Sequence, residues 1–136
     1  MRVFLDANVL FSASNAGSNI AELIAWAMEQ TTLVTSDLAI EEARKNLTLK
    51  RHAWLPAFGE ILAGLEVVPS ILFQLPVSIA RKDAPLLCAA IRGACRLFVT
   101  GDRRDFGRLY GQTVQGTEVV TLLRLAEILA SRSPSV

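Results

Sequence analysis

Histidine, cysteine and net charge are all scarce in this chain, and each scarcity removes a class of function. Among 136 residues there is one histidine, His52, and two cysteines, Cys88 and Cys95. The cysteines stand seven positions apart, where a helix would put them on one face. They match neither a zinc pattern nor a disulfide framework and read as reduced core residues. One histidine is too few for the usual zinc sites, and no serine–histidine or cysteine–histidine arrangement for nucleophilic catalysis is evident. Fourteen Lys and Arg against thirteen Asp and Glu leave a net charge of +1. The total therefore says nothing about nucleic acid, and only the placement of charges can.

Long apolar runs are missing too. Arg2 is followed by three apolar residues before Asp6, which is no secretory signal. The most apolar stretch, 54–80, is broken by Pro56, Glu60, Glu66, Pro69 and Pro76, whereas a bilayer-spanning helix needs ~20 uninterrupted apolar residues. There is no internal repeat and no low-complexity linker. We expect one domain over 1–130, a frayed tail at 131–136, a cytoplasmic location and no membrane attachment. Apolar residues themselves are abundant, with 51% hydrophobic and a mean hydropathy of +0.38. That surplus predicts an apolar face covered by a second subunit or another protein.

Short strands alternate with helices along the chain. Arg2–Leu5 reads as a strand. Asn19 with Glu22 resembles a capping box before the helical spacing of Ile20, Leu23, Ile24, Ala27 and Met28. Thr32–Thr35 is a second strand, and Ser36 or Asp37 caps a helix carrying Leu38, Ile40, Ala43 and Leu47. Trp54, Phe58, Ile61, Leu62 and Leu65 mark a third helix, and Glu66–Val68 a short strand closed by Pro69. Asp83, Ala84 and Pro85 open a helix to about Ala94. Strands at Leu97–Thr100 and Glu118–Val120 follow, then a helix over Leu122–Ala130. Short, continuously apolar strands between helices predict a three-layer α/β/α sandwich around a short central parallel sheet.

The acidic residues carry the functional reading. Two strands run straight into an aspartate, Asp6 and Asp102, and ligand sites of parallel sheets lie beyond the carboxyl ends of the strands. Asp83 opens the helix that leads to the Asp102 strand, Glu42 lies on the helix after the second strand, and Asp105 is one turn past Asp102. Each has a plain structural reading: Asp83 as a helix cap, Asp102 and Asp105 as turn residues near Gly101 and Gly107, Glu42 as a solvated position like Glu41. An acid directly after a buried strand, as at Asp6, is harder to explain that way. Like charges ~4 Å apart repel by about 4 kcal/mol at an effective dielectric near 20. A divalent cation offsets that repulsion, and an all-oxygen donor set selects Mg²⁺ or Mn²⁺. Such an ion activates water for phosphodiester chemistry.

The segments Phe4-Leu-Asp6-Ala-Asn8-Val-Leu10, Thr35-Ser36 with Glu42, Asp83 opening a helix, and Val99-Thr-Gly-Asp102-Arg-Arg-Asp105-Phe106 follow one another in the order of the PIN-domain nucleases. The chain resembles that family over nearly its whole length. The resemblance implies a PIN-like, Rossmann-like fold and metal-dependent RNA cleavage. It implies Asp6, Glu42, Asp83 and Asp102 as catalytic acids and metal ligands, with Asp105 supplementary. The choice of Glu42 over Glu41 rests on its spacing to Leu47. Asn8, Ser36 and Thr100 would orient carboxylates or water. Many small members of the family are toxins of toxin–antitoxin pairs, which would bring a cognate antitoxin and a homodimer.

Basic residues flank the acids: Arg44, Lys45, Lys50 and Arg51 after Glu42, Arg81 and Lys82 before Asp83, and Arg103, Arg104 and Arg108 around Asp102 and Asp105. Of these, Arg44, Lys45, Arg81, Lys82, Arg103 and Arg104 are the candidates for RNA phosphate contact, although Arg103 and Arg104 equally suit neutralising the acids beside them. Lys50, Arg92, Arg124 and Arg132 read as solvated helix positions. Trp26 and Trp54 fit apolar helix stripes, His52 a surface position at a helix start, and the helix from Trp54 to Leu65 a dimer face. Two other functions compete. One is a non-catalytic domain that binds RNA or protein. The other is a phosphatase-type hydrolase with Asp6 as nucleophile, which usually wants a second acid two residues on, where this chain has Asn8.

Overall fold

Val3, Phe4 and Leu5 are fully buried and form most of β1 (Arg2–Leu5), the strand around which the sheet is built. The computed structural model describes residues 1–132. β1 pairs with β2 (Thr32–Ser36) on one side and with β4 (Leu97–Val99) on the other, both in parallel. β3 (Glu66–Val68) extends the sheet beyond β2 and β6 (Thr117–Val120) extends it beyond β4, again in parallel. A two-residue strand, β5 (Thr113–Val114), pairs antiparallel with β6 and gives the order β3-β2-β1-β4-β6-β5. The parallel sheet flanked by helices is therefore as the sequence predicts, and the antiparallel β5 is additional.

The helices are α1 (Ala7–Ala13), α2 (Asn19–Gln30), α3 (Asp37–Lys50), α4 (Leu55–Ala63), α5 (Ala84–Arg92), α6 (Arg103–Phe106) and α7 (Leu122–Arg132). α1 packs against α2, α3 and α4, and α7 lies beside α2. The steps from β1 to β2 and from β2 to β3 move one way across the sheet. The return to β4 moves the other way, so right-handed crossover sends α5 to the opposite face. There it rests on β2 and β4. Phe98 stacks on Phe4 with ring centroids 5.3 Å apart and meets Phe106 at 4.9 Å, filling the centre with aromatic volume.

Several boundaries differ from the sequence expectation. α1 was not expected. The cap of α2 is Ser18, whose hydroxyl accepts from the Ala21 N–H, rather than Asn19. The helix expected from Trp54 splits into a 3₁₀ turn, His52–Trp54, and α4. α5 stops at Arg92 because Ala94 adopts a left-handed φ of 56°, so Cys95 lies past the helix, not on its face. Both cysteines are free and buried, as expected. α7 continues through Ser131 and Arg132, and residues 133–136 of the expected tail lie outside the described residues. No described helix is long and apolar enough to cross a membrane. On α4 the residues Leu55, Ile61 and Leu62 are half-buried against the core. The exposed large apolar residues are Leu38, Leu49, Val67, Ile71, Leu72 and Leu123, none of them on α4. Where α4 meets α2, however, an apolar groove of about 380 Å³ opens between Ala21, Ile24, Met28, Ala57 and Ile61.

Candidate metal centre

β1 and β4 are neighbours whose onward connections leave in opposite directions across the sheet. The crevice beyond their carboxyl ends is therefore the topological switch point where open α/β sheets bind ligands. A cleft of about 250 Å³ opens there, and its walls include Asp6, Glu42, Asp83 and Asp102. Four of the five acids singled out from the sequence thus line one cleft, and the fifth, Asp105, is not part of its lining. Glu42 lines this cleft and Glu41 does not, although both border a neighbouring depression with Lys45 and Lys82.

Asp6 is 2% exposed and held by three hydrogen bonds. The Ala7 N–H donates to Oδ1 at 2.7 Å, while Thr100 Oγ1 and Asn8 Nδ2 donate to Oδ2 at 2.7 and 3.0 Å. Burial pushes its pKa up to about 6, against the lowering effect of the Thr100 and Ala7 bonds; the nearby Glu42 charge raises it further. Asn8 also accepts from the Gly101 N–H at 2.7 Å. A side chain at 101 would place its Cβ 3.3 Å from Asn8 Oδ1, so glycine permits this close approach. Thr100 Oγ1 accepts in turn from the Asp102 N–H at 3.1 Å. Tyr110 steadies the segment by donating its hydroxyl to the Thr100 carbonyl at 2.9 Å. Asn8 and Thr100 thus each hydrogen-bond the Asp6 carboxylate, while the Ser36 hydroxyl accepts from the Ala39 N–H and caps α3.

Asp83, Asp102 and Asp105 each offer a carboxylate oxygen within 4.8 Å of the others. Asp102 Oδ1 accepts from the Asp105 N–H at 3.0 Å and so caps α6. Asp83 occupies the cap position of α5 but its side chain makes no capping hydrogen bond, which removes the plain structural reading of that residue. The residue is 6% exposed, and its Oδ2 is buried without any hydrogen-bond partner. Burial drives the Asp83 pKa up to about 7, and the hydrogen bond to Asp105 and the Asp105 charge add to the rise. Asp105 moves the opposite way, held low by the bond from Asp83 and by Lys82, whose Nζ lies 3.2 Å from Oδ2. Without a cation, Asp83 is the member of the pair that keeps a proton, up to about pH 7.

These residues fit a divalent cation. The donors are all oxygen, they converge, and one buried carboxylate oxygen has a lone pair with nothing to meet. Charge compensation within the protein is slight. Lys82 is the cation paired with Asp105, while Arg81, Arg103 and Arg104 are exposed and border no part of the cleft. Arg44 stacks its guanidinium 5.5 Å from the centre of the Phe58 ring, and Lys45 borders a neighbouring depression with Leu38 and Leu86. Four cleft residues escaped the sequence reading: Phe11, Ser12, Asn46 and Lys50. Lys50 had been assigned to solvent. The available signal was its spacing, since Asn46 and Lys50 lie four and eight residues after Glu42 and so share its helix face.

The fold has a counterpart among solved structures. The chain matches one chain of VapBC2 from Rickettsia felis, crystallised bound to a DNA fragment from their promoter, with a TM-score of 0.65. The match covers 89% of this chain and 98% of that one at 14% identity, so the likeness is one of fold. No protein-family model and no curated protein sequence matches the chain.

Proposed function

We propose that this chain is a Mg²⁺- or Mn²⁺-dependent endoribonuclease in which Asp6, Glu42, Asp83 and Asp102 hold the metal, with Asp105 in support. The observation that carries the reading is Asp83 Oδ2, buried and unbonded within a cluster of three carboxylates. A fold that leaves an acid so poorly satisfied has a use for the vacant lone pair. A divalent ion bound there would polarise a phosphate oxygen and lower the pKa of a coordinated water.

The chain's own residues do the positioning. Three hydrogen bonds fix the orientation of Asp6, and the Asn8–Gly101 and Thr100–Asp6 contacts tie the two strand ends into one edge. Lys82 balances Asp105 and stands ready for a phosphate. The resemblance to PIN-domain nucleases supports RNA as substrate, a homodimer and a cognate antitoxin as partners, and the role of a toxin within such a pair. The likeness to one chain of VapBC2 is a likeness of fold, which agrees with the fold this reading requires.

The test is cleavage of a mixed pool of structured and single-stranded RNAs in Mg²⁺, Mn²⁺ or EDTA. We expect metal-dependent cleavage that Glu42→Gln and Asp102→Asn each reduce by at least the ~10- to 100-fold typical of losing a partner of a metal ligand. Cleavage that persists in EDTA, or variants as active as the parent, would overturn the reading. Metal binding without turnover on any RNA would favour the non-catalytic binding domain instead.

A further inference from the structure

Thr100 follows β4 directly, and its N–H donates to the Val120 carbonyl of β6 at 3.1 Å. The chain then reaches Asp102 through Gly101, whose freedom leaves the Thr100–Gly101 peptide plane soft unless something holds it. Two hydrogen bonds do so, one at each edge. The Tyr110 hydroxyl donates to the carbonyl at 2.9 Å, and the Gly101 N–H donates to Asn8 Oδ1 at 2.7 Å. From this peptide the bonds lead on to the acids. Asn8 Nδ2 donates to Asp6 Oδ2 at 3.0 Å. The Thr100 hydroxyl donates to the same Oδ2 at 2.7 Å and accepts from the Asp102 N–H at 3.1 Å. Asp6 and Asp102, two of the four acids proposed to hold the metal, thus take their mutual orientation from one peptide.

Tyr110 reaches that peptide because the chain folds back after Asp102. Phe106 and Leu109 are buried and anchor α6 and the 3₁₀ turn Gly107–Leu109. Tyr110 then bridges Val119 of β6, and the Gly111 N–H donates to the Val119 carbonyl at 2.8 Å. The ring packs half-buried against the core, so ring and hydroxyl have separable duties. Burial raises the phenol pKa; Arg103 lowers it, and the Asp102 and Asp6 charges raise it again, so the hydroxyl is a donor at neutral pH.

We infer that Tyr110 is a positioning residue of the metal centre, which through the Thr100–Gly101 peptide sets Asp6 against Asp102 and so selects a small divalent ion over a large one. The inference rests on the metal reading above and not on RNA as the substrate. Mg²⁺ demands near-ideal octahedral geometry with oxygens at about 2.0–2.1 Å, whereas Ca²⁺ accepts flexible arrangements of oxygens at about 2.3–2.6 Å. Loosening one acid against the other therefore harms Mg²⁺ far more than Ca²⁺.

The test is calorimetric titration of the full chain with Mg²⁺ and with Ca²⁺ for the parent, Tyr110→Phe and Thr117→Val. Phenylalanine keeps the ring and removes only the hydroxyl. Thr117 is the matched control, because its hydroxyl donates to the Cys95 carbonyl at 2.6 Å at the opposite end of β4 and β6. Both variants should lower the Tm in EDTA by roughly 3–4 °C. Tyr110→Phe should weaken Mg²⁺ binding ~10- to 100-fold and Ca²⁺ binding by no more than about threefold, while Thr117→Val leaves both affinities unchanged. On an RNA that the parent cleaves in Mg²⁺, Tyr110→Phe should lower kcat and leave KM within about twofold. Equal losses for the two ions, or none, would overturn the assignment and leave the metal centre standing. A parent that binds neither ion would overturn the metal reading and this inference together. A parent that prefers Mg²⁺ but cleaves no RNA, with that preference lost in Tyr110→Phe, would uphold the assignment and overturn the ribonuclease reading.

Discussion

Replacing Asp83 by Asn should stabilise the metal-free protein above neutral pH and leave it unchanged in acid. The Asp83 pKa is raised from the ordinary 3.8 to about 7 in the folded chain, chiefly by burial and then by Asp105. Between those two values the folded state holds a proton that the unfolded state has released. Stability therefore falls as pH rises from about 4 to about 7, and the full penalty is present above that range. A tenfold change in proton affinity corresponds to about 1.4 kcal/mol, so complete burial of the charge would cost about 4 kcal/mol. The cleft is open to water at its mouth and Lys82 stands beside the pair, so we expect roughly half of this, about 2 kcal/mol. Asparagine keeps the shape of the protonated acid, and its amide can donate to Asp105 as that acid does. In a domain of this size the gain corresponds to a Tm higher by roughly 6–8 °C.

The assay is thermal unfolding by circular dichroism in EDTA at about pH 3.5, 5 and 8. The difference between variant and parent should be nearly absent at the first, roughly half developed at the second and full at the third. In saturating Mn²⁺ the order should reverse. At a hundredfold excess over its dissociation constant the ion stabilises the parent by about 2.7 kcal/mol, and a variant lacking one ligand gains less. A pH-independent difference, or a variant less stable than the parent at pH 8 in EDTA, would refute the argument that Asp83 is a buried acid in want of a cation.

Two further outcomes follow from the contacts around the cluster. Thr100→Val removes the donor to Asp6 and the acceptor for the Asp102 N–H; we expect about 1–3 kcal/mol lost in urea unfolding and Mn²⁺ affinity down ~10- to 100-fold. Phe98→Ala hollows the space between Phe4 and Phe106 and should cost about 3–5 kcal/mol by the same measure, with a smaller loss showing that the core closes over the gap.

What the sequence conveyed and what it hid divide along physical lines. The strands at Arg2–Leu5 and Leu97–Val99 were legible because apolar runs ending in a polar residue admit few other readings. α1 was not, because it begins at Ala7 without a loop and its cap is Asp6, a residue already occupied by a chemical argument. Its two turns, Ala7–Ala13, are too short for a periodicity to establish itself. β5 has two residues and exists only by pairing with β6. The convergence of the acids was legible, because topology brings the ends of β1 and β4 together whatever the side chains do. The roles of single residues were legible only in part: Ser36 reads both as a helix cap and as a companion of Thr100, and it caps α3 while Thr100 bonds Asp6. Lys50 and Lys45 likewise differ only in helical phase, which decides which of them faces the cleft.

The acids in this cleft differ in how much the fold itself asks of them. Asp6 receives the first N–H of α1, and Asp102 receives an N–H at the start of α6, so each has an architectural duty beside any chemical one. A loss of activity on changing either would mix a damaged edge with a damaged site, since a cap alone contributes ~1 kcal/mol. Asp105 is satisfied by Lys82 and by the hydrogen bond from Asp83. Asp83 has no architectural duty, because the helix it precedes makes no bond to its carboxylate and its buried Oδ2 accepts no hydrogen bond. A residue that costs stability and supports no backbone is retained for what it does when its partner arrives. Asp83 is therefore the position at which a structural and a chemical account predict opposite signs, stabilisation in EDTA and impairment in Mn²⁺.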